Sequence, residues 1–120
     1  MAKLATAGML DGGLTTTGTC TRITVLSAQP ASLADITTTY VLATTSKVSG
    51  DFVKSAGTGT NRKTTISQTT AISITTSGSA THVAIDNGTD YLVTTCTTQA
   101  LTAGGTVTIP AWTQEIAQPV

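Results

Sequence analysis

His82 is the only histidine in this 120-residue chain, so it is the first side chain to consider for chemistry. A histidine that acts as a general base needs a carboxylate to orient it and a nucleophile within hydrogen-bond reach. The sequence nominates no residue for either part. In a strand, His82 and Val83 point to opposite faces, and we expect Val83 to face the core and His82 to face solvent or an interface. We therefore predict that the protein is not an enzyme.

Residues 86–90 hold two carboxylates and an amide within five residues, namely Asp86, Asn87 and Asp90. Ca²⁺ takes about six to eight oxygen ligands, and the spacing of the known calcium-binding helix–loop–helix motif is absent here. Asp and Asn are also common turn residues, and Asn87-Gly88 is a strong signal for a tight hairpin. We predict a turn at this position, and neither a metal nor another cofactor.

Cys20 and Cys96 are far apart in the sequence and belong to no CxxC pair or metal-binding spacing. Two free, buried thiols are the simplest interpretation. A disulfide between two strands is the alternative, but it requires Cα atoms about 4.4–6.8 Å apart, which the sequence does not establish.

Threonine makes up about a quarter of the chain and often comes in pairs and triplets, as in residues 15–17, 37–39 and 97–98. Its branched side chain favours strands, and its hydroxyl keeps an open strand face soluble. Charged residues are 10% and aromatic residues 3% of the chain, so few side chains remain for catalysis. This composition is typical of a β-rich structural subunit.

The formal net charge is zero, and the six basic residues are scattered. Nucleic-acid binding depends on clustered Lys and Arg, so we expect no nucleic-acid partner. No segment approaches the roughly 18 apolar residues of a membrane span, and the N-terminus lacks the apolar core of a signal peptide. We therefore expect no membrane partner and no small-molecule substrate.

The arrangement of strand and turn signals predicts an all-β fold, an antiparallel β-sandwich or small barrel of about 7–8 short strands. Residues 1–19, rich in Gly, Ala and Thr, are predicted to form an extended N-terminal arm. The β domain follows over residues 20–110, and residues 111–120 are predicted to form an extended C-terminal tail. The clearest predicted strands are residues 21–27, 40–44, 72–75, 82–85, 91–95 and 107–109, with a hairpin joining 72–75 to 82–85 and a loop at 57–61.

Four segments carry a resemblance to a known class of protein: AGMLDGGL (7–14), AQPAS (28–32), ITTSGSATHVAIDNG (74–88) and TTCT (94–97). Together they resemble small Thr-rich structural proteins of tailed bacteriophage virions. Within that class, a capsid decoration (cement) protein fits best. The resemblance implies a role on the capsid surface after synthesis in the host cytoplasm, and it brings no functional residues with it.

A decoration protein would bind the head surface and reinforce contacts between capsid subunits. Its expected partners are the major capsid protein and copies of itself, with a trimer as one arrangement of a homo-oligomer. We predict that apolar side chains of the two arms make these contacts: Leu4, Met9, Leu10, Leu14, Trp112 and Ile116.

Two alternatives stay open at this point. The first is a tail or fibre component of the virion, since Thr-rich β segments also suit that location. The second is a carbohydrate-binding β-module that attaches to a host surface. That module would need exposed aromatic side chains, and the chain offers only Tyr40, Phe52, Tyr91 and Trp112.

Overall fold

The computed structural model describes residues 7–59 and 61–116. One helix precedes nine strands, and the predicted all-β class with antiparallel sheets is confirmed. Three sheets, with strand orders β2-β1-β6-β7, β3-β4-β9 and β5-β8, are compatible with a sandwich or small barrel. The elements are α1 (Ala7–Thr17), β1 (Arg22–Leu26), β2 (Val41–Ser46), β3 (Phe52–Ala56), β4 (Arg62–Ile66), β5 (Thr69–Ser73), β6 (Gly78–Asp86), β7 (Tyr91–Leu101), β8 (Thr106–Ile109) and β9 (Trp112–Ile116).

The four-stranded sheet has both of its faces covered at β1. Four consecutive residues of this strand, from Ile23 to Leu26, are buried. Alternating strand residues point to opposite faces, so an unbroken buried run requires material on each side. Ile23 and Val25 join the main core, whereas Leu26 packs with Ile36 and Ala84 on the other face. Ile36 comes from a π-helical segment, Asp35–Thr39, that lies between β1 and β2.

The main core is shared by all three sheets. Buried side chains from the four-stranded sheet meet Ile66 of β4, Ile72 of β5 and Ile109 of β8, and Phe52 and Trp112 pack against their edge. Most of these residues are β-branched or small, which matches the composition. One apolar cluster therefore joins the sheets into a single body with extents of 54 × 26 × 25 Å.

The N-terminal segment is helical over Ala7–Thr17, so the prediction of an extended arm was wrong there. Three glycines and three threonines make this a poor helix by intrinsic propensity. Short helices owe their stability mainly to tertiary packing, and α1 contacts β3, β4 and β9. Leu14 is fully buried at this contact. The composition of the segment does not reveal this burial, which stabilises the helix.

Two further predictions about connectivity need correction. Residues Trp112–Ile116 form β9 and pair with β4, so they belong to the three-stranded sheet and not to a separate tail. The predicted hairpin between the strands near 72–75 and 82–85 does not form, because β5 pairs with β8 while β6 pairs with β1 and β7. Both errors have one cause: strand signals mark segments, but they do not specify distant partners.

Candidate interaction site

The outer edge of β7 is the most distinctive surface of the described chain. This strand is 11 residues long, Tyr91–Leu101, and lies at the end of the four-stranded sheet with β6 as its neighbour. Its sequence, YLVTTCTTQAL, contains no charged residue, no Pro and no Gly. Natural proteins commonly protect such an edge with Lys, Pro, an inward-pointing charge or a covering segment. None of the residue types in that set occurs within β7.

Residues 95–100 of β7 are all exposed, although they span both faces of the strand. Cys96 lies in this run, so the expectation that both thiols are buried was wrong for Cys96 and correct for Cys20. Both cysteines are free, which excludes a disulfide between them in this structure. Burial, with smaller contributions from Asp86 and Asp90, raises the pKa of the Cys20 thiol to about 11.

A bulge interrupts the inner side of β7 at the same place. Ala80 of β6 is opposite Gln99 and His82 is opposite Thr95, so three residues of β7 face the single residue Thr81. In a bulge of this kind the ladder of backbone hydrogen bonds is broken locally. The middle of β7 therefore depends less on β6 than its two ends do.

An apolar cleft runs beside the exposed middle of β7. Val83, Cys96, Ile109 and Pro110 line its floor, and Trp112 extends it towards β9. When a strand is added to a sheet edge, its backbone supplies hydrogen bonds and its alternate side chains enter flanking pockets. The outer edge of β7 provides the backbone groups for such a strand, and the cleft provides a pocket for its side chains.

The structure describes the side chains of three of the six predicted partner-binding residues, namely Leu14, Trp112 and Ile116. Leu4 lies outside the described residues, and Met9 and Leu10 lie within α1. Leu14 is fully buried inside this chain, so it is not available to a partner without unfolding of α1. The prediction for Leu14 is therefore corrected.

The two predicted contacts near the C-terminus are half-buried. Trp112 packs against the main core and borders the cleft beside β7. Ile116 lies against α1, where its Cδ1 is 3.0 Å from the position that a Cβ on Gly13 would take. Of the three predicted residues whose side chains are described, Trp112 is the one that lies beside the candidate site.

The exposed continuation of β7 beyond Thr95 is the part of the site that sequence reasoning missed. The predicted strand stopped at Thr95, whereas β7 continues to Leu101. The signal was present, because the six added residues contain neither a charge nor a turn former. Paired threonines on each side of Cys96 continue the β-favouring composition.

The predicted turn at residues 86–90 is present and connects β6 to β7. Asn87 Oδ1 accepts hydrogen bonds from the backbone N–H groups of Thr89 and Asp90, at 2.9 and 2.7 Å. Gly88 has a φ of 91°, which suits glycine in a tight turn. Within the described ranges, no group of three or more His, Cys, Asp or Glu side chains is placed to hold a metal ion.

Asp86 is held by an ion pair with Arg22. Arg22 Nε and Nη2 donate to its two carboxylate oxygens at 2.9 and 2.7 Å, and the Gly88 backbone N–H donates at 3.1 Å. The Asp86 side chain is 1% exposed and that of Arg22 is 36% exposed. This fork of two hydrogen bonds ties the start of β1 to the end of β6.

Other charged side chains also fix loops. Buried Lys47 donates from Nζ to the Ser67 carbonyl at 3.2 Å, and Ser67 Oγ donates to Asp51 at 3.0 Å. The backbone N–H of Val48, with help from Ser67 and Lys47, holds the pKa of Asp51 below its ordinary value. Glu115 accepts from the Thr58 backbone N–H, which lowers the pKa of that carboxyl.

Comparison with protein-family models, with curated proteins and with solved structures found no match to this chain. No helix in the described part of the chain is long and apolar enough to cross a membrane.

Proposed function

We propose that this chain is a structural protein of a tailed-bacteriophage virion, a capsid decoration protein that binds the head surface and reinforces contacts between capsid subunits. The observation that carries the proposal is the long, uncharged edge of β7, which pairs on its outer side with no strand among the described residues of this small all-β body. The resemblance of four sequence segments to phage virion proteins supplies the biological setting.

The proposed mechanism is mechanical. Strand addition at the β7 edge would supply backbone hydrogen bonds, and the cleft beside Cys96 and Trp112 would bury apolar side chains of the bound segment. A contact made to two capsid subunits at once raises the free energy needed to separate them. Threonine hydroxyls on the open face keep the unbound protein in solution until it meets the particle.

The contacts made by the charged side chains support a structural role for the protein. Asp86, Lys47 and Asp51 are occupied with partners that fix the ends of strands, and Glu115 holds the loop at residues 57–59. His82 bonds through Nδ1 to the adjacent Thr81 hydroxyl at 2.8 Å. None of these contacts combines a nucleophile, a base and an orienting group.

The test uses purified virions of the phage whose genome encodes the chain. Peptide mass spectrometry of separated heads and tails should find the protein in the head fraction, in stoichiometric amounts relative to the major capsid protein. Deletion of its gene should lower the temperature at which heads release DNA, and added purified protein should restore it. A chain found in tails overturns the decoration role in favour of a tail component, and a chain missing from virions overturns the whole proposal.

The carbohydrate-binding alternative has little support from the described side chains. Among the large hydrophobic residues that are strongly exposed, Tyr91 is the single aromatic, at 43% exposure. Sugar platforms generally use aromatic faces in combination, and Trp112 and Phe52 are packed against the core.

A further inference from the structure

The five central residues of β7 form a sequence that is symmetric about the midpoint of the strand. Cys96 is the central residue of the strand Tyr91–Leu101. Threonine pairs flank it on both sides, so residues 94–98 read TTCTT in either direction. A segment with this property presents the same residues to a copy of itself that runs antiparallel, which is the arrangement that a two-fold axis produces.

We propose that two copies of the chain pair antiparallel through their β7 edges, with Cys96 of each copy facing Cys96 of the other on a two-fold axis. The two four-stranded sheets then join into one continuous eight-stranded sheet. This inference concerns the free protein. Capsid attachment in the proposed function would use the same edge of β7, so the dimer has to separate before the chain binds the head.

Pairing centred on Cys96 uses the whole length of the strand. Thr95 lies opposite Thr97 of the second copy, and Thr94 lies opposite Thr98. Towards the ends, Val93 faces Gln99, Leu92 faces Ala100 and Tyr91 faces Leu101. Threonine pairs opposite each other stabilise antiparallel sheets, and no charge meets a like charge anywhere in this register.

Features of the β7 edge indicate that its partner is a second copy of the chain. Residues 95–100 are exposed on both faces, and the bulge opposite Thr81 interrupts their backbone pairing with β6. Backbone N–H and C=O groups need partners, and an antiparallel strand satisfies those that point outward. A neutral chain also lacks the net repulsion that opposes association of identical molecules. A second copy is thus a partner that the strand matches in length, charge and sequence.

The first experiment is light scattering on a sizing column over a range of protein concentrations. The chain mass is 12.1 kDa, and the expected result is a shift towards twice that mass as the concentration rises. A protein that stays monomeric at the highest concentration, or one that forms a trimer, overturns the proposal.

Two double substitutions test the register. In Thr95→Lys with Thr97→Lys, lysine faces lysine twice across the axis, and we expect the dimer dissociation constant to rise about tenfold or more. In Thr95→Lys with Thr97→Glu, lysine faces glutamate twice, and dimer formation should be retained. If the two variants have the same dimer dissociation constant, the pairing centred on Cys96 is wrong.

The matched control adds the same charge elsewhere. Thr38 and Thr39 are exposed and lie outside β7, so Thr38→Lys with Thr39→Lys should leave the dissociation constant unchanged. A circular dichroism spectrum of each variant checks that the fold is intact. Equal weakening by the control would show that added charge alone opposes association, and would overturn the assigned edge.

A second readout uses the cysteine at the proposed axis. Directly opposed residues of an antiparallel pair have Cα atoms about 4.5–5.5 Å apart, a distance that a disulfide can bridge. Diamide accepts the two electrons and two protons that two thiols lose, so it should trap Cys20→Ser protein as a disulfide-linked dimer. The reaction is run at pH 9, since partial desolvation raises the pKa of the thiol of Cys96 although its side chain is exposed.

Cys96→Ser protein should give no such product, because its remaining thiol, Cys20, is only 5% exposed. Failure of the Cys20→Ser protein to cross-link at concentrations where light scattering finds a dimer would overturn the register centred on Cys96.

Discussion

At the scale of single residues, several charged side chains fix the ends of strands and loops, Asp86 and Lys47 among them. The hairpin turn after Asp86 was predictable from Asn87-Gly88, because the signal and the structure are local. The partner of Asp86 was not predictable in the same way, since Arg22 lies 64 residues away in the sequence. The same holds for buried Lys47 and its contact with Ser67. Sequence patterns identify turns well, but they do not identify long-range polar partners.

We predict an asymmetry between the two halves of this ion pair. Arg22→Met leaves the Asp86 carboxylate buried without its cation and should lower the free energy of unfolding by about 2–4 kcal/mol at neutral pH. Asp86→Asn should cost less, about 1–2 kcal/mol, because the Arg22 side chain is 36% exposed and regains water. Urea unfolding measures both values, and the double variant should lose less than the sum.

Lys54→Met is the matched control, because it removes a positive charge from an exposed position. Its effect should stay within about 0.5 kcal/mol. If Asp86→Asn proves more costly than Arg22→Met, burial of the carboxylate does not control the energetics of this pair.

At the scale of elements, α1 and β7 are the two places where the structure differs from what the local sequence predicted. The Gly-rich segment around Gly12-Gly13 favoured an extended arm, yet it is helical because Leu14 is buried against the three-stranded sheet. For β7 the composition was correct and only the length was underestimated. Sequence therefore predicted the strand class and most strand positions, whereas the sheet order depended on contacts between distant segments.

The two adjacent glycines of α1 give a prediction that separates propensity from packing. A Cβ on Gly12 would have no heavy atom within 4 Å, so Gly12→Ala should raise the free energy of unfolding by about 0.5–1 kcal/mol. A Cβ on Gly13 would lie 3.0 Å from Ile116 Cδ1, so Gly13→Ala should gain less or lose stability. Thermal and urea unfolding of both variants measure the difference.

Ile116→Val supplies the control, because it removes the Cδ1 atom that Gly13→Ala would crowd. In that background, Gly13→Ala should recover the gain of about 0.5–1 kcal/mol. Equal gains for Gly12→Ala and Gly13→Ala in the original chain would contradict close packing of β9 on α1.

At the scale of the whole molecule, one core holds three sheets together. Ile23 of β1 and Ile66 of β4 are both fully buried and belong to the same cluster, although they lie in different sheets. The core consists mostly of small and β-branched residues, and its members come from all three sheets. Cooperative unfolding of all three sheets is the physical consequence.

The single tryptophan makes this consequence measurable. Trp112 lies in β9, so its fluorescence follows the three-stranded sheet, while far-ultraviolet circular dichroism follows every strand. We predict that the two signals give the same urea midpoint. Ile66→Val and Ile23→Val should each cost about 0.5–1.5 kcal/mol and move both midpoints together. If Ile66→Val moves only the fluorescence transition and Ile23→Val only the dichroism transition, the sheets unfold separately. The shared core would then not be the structure that joins β7 and its exposed edge to the rest of the protein.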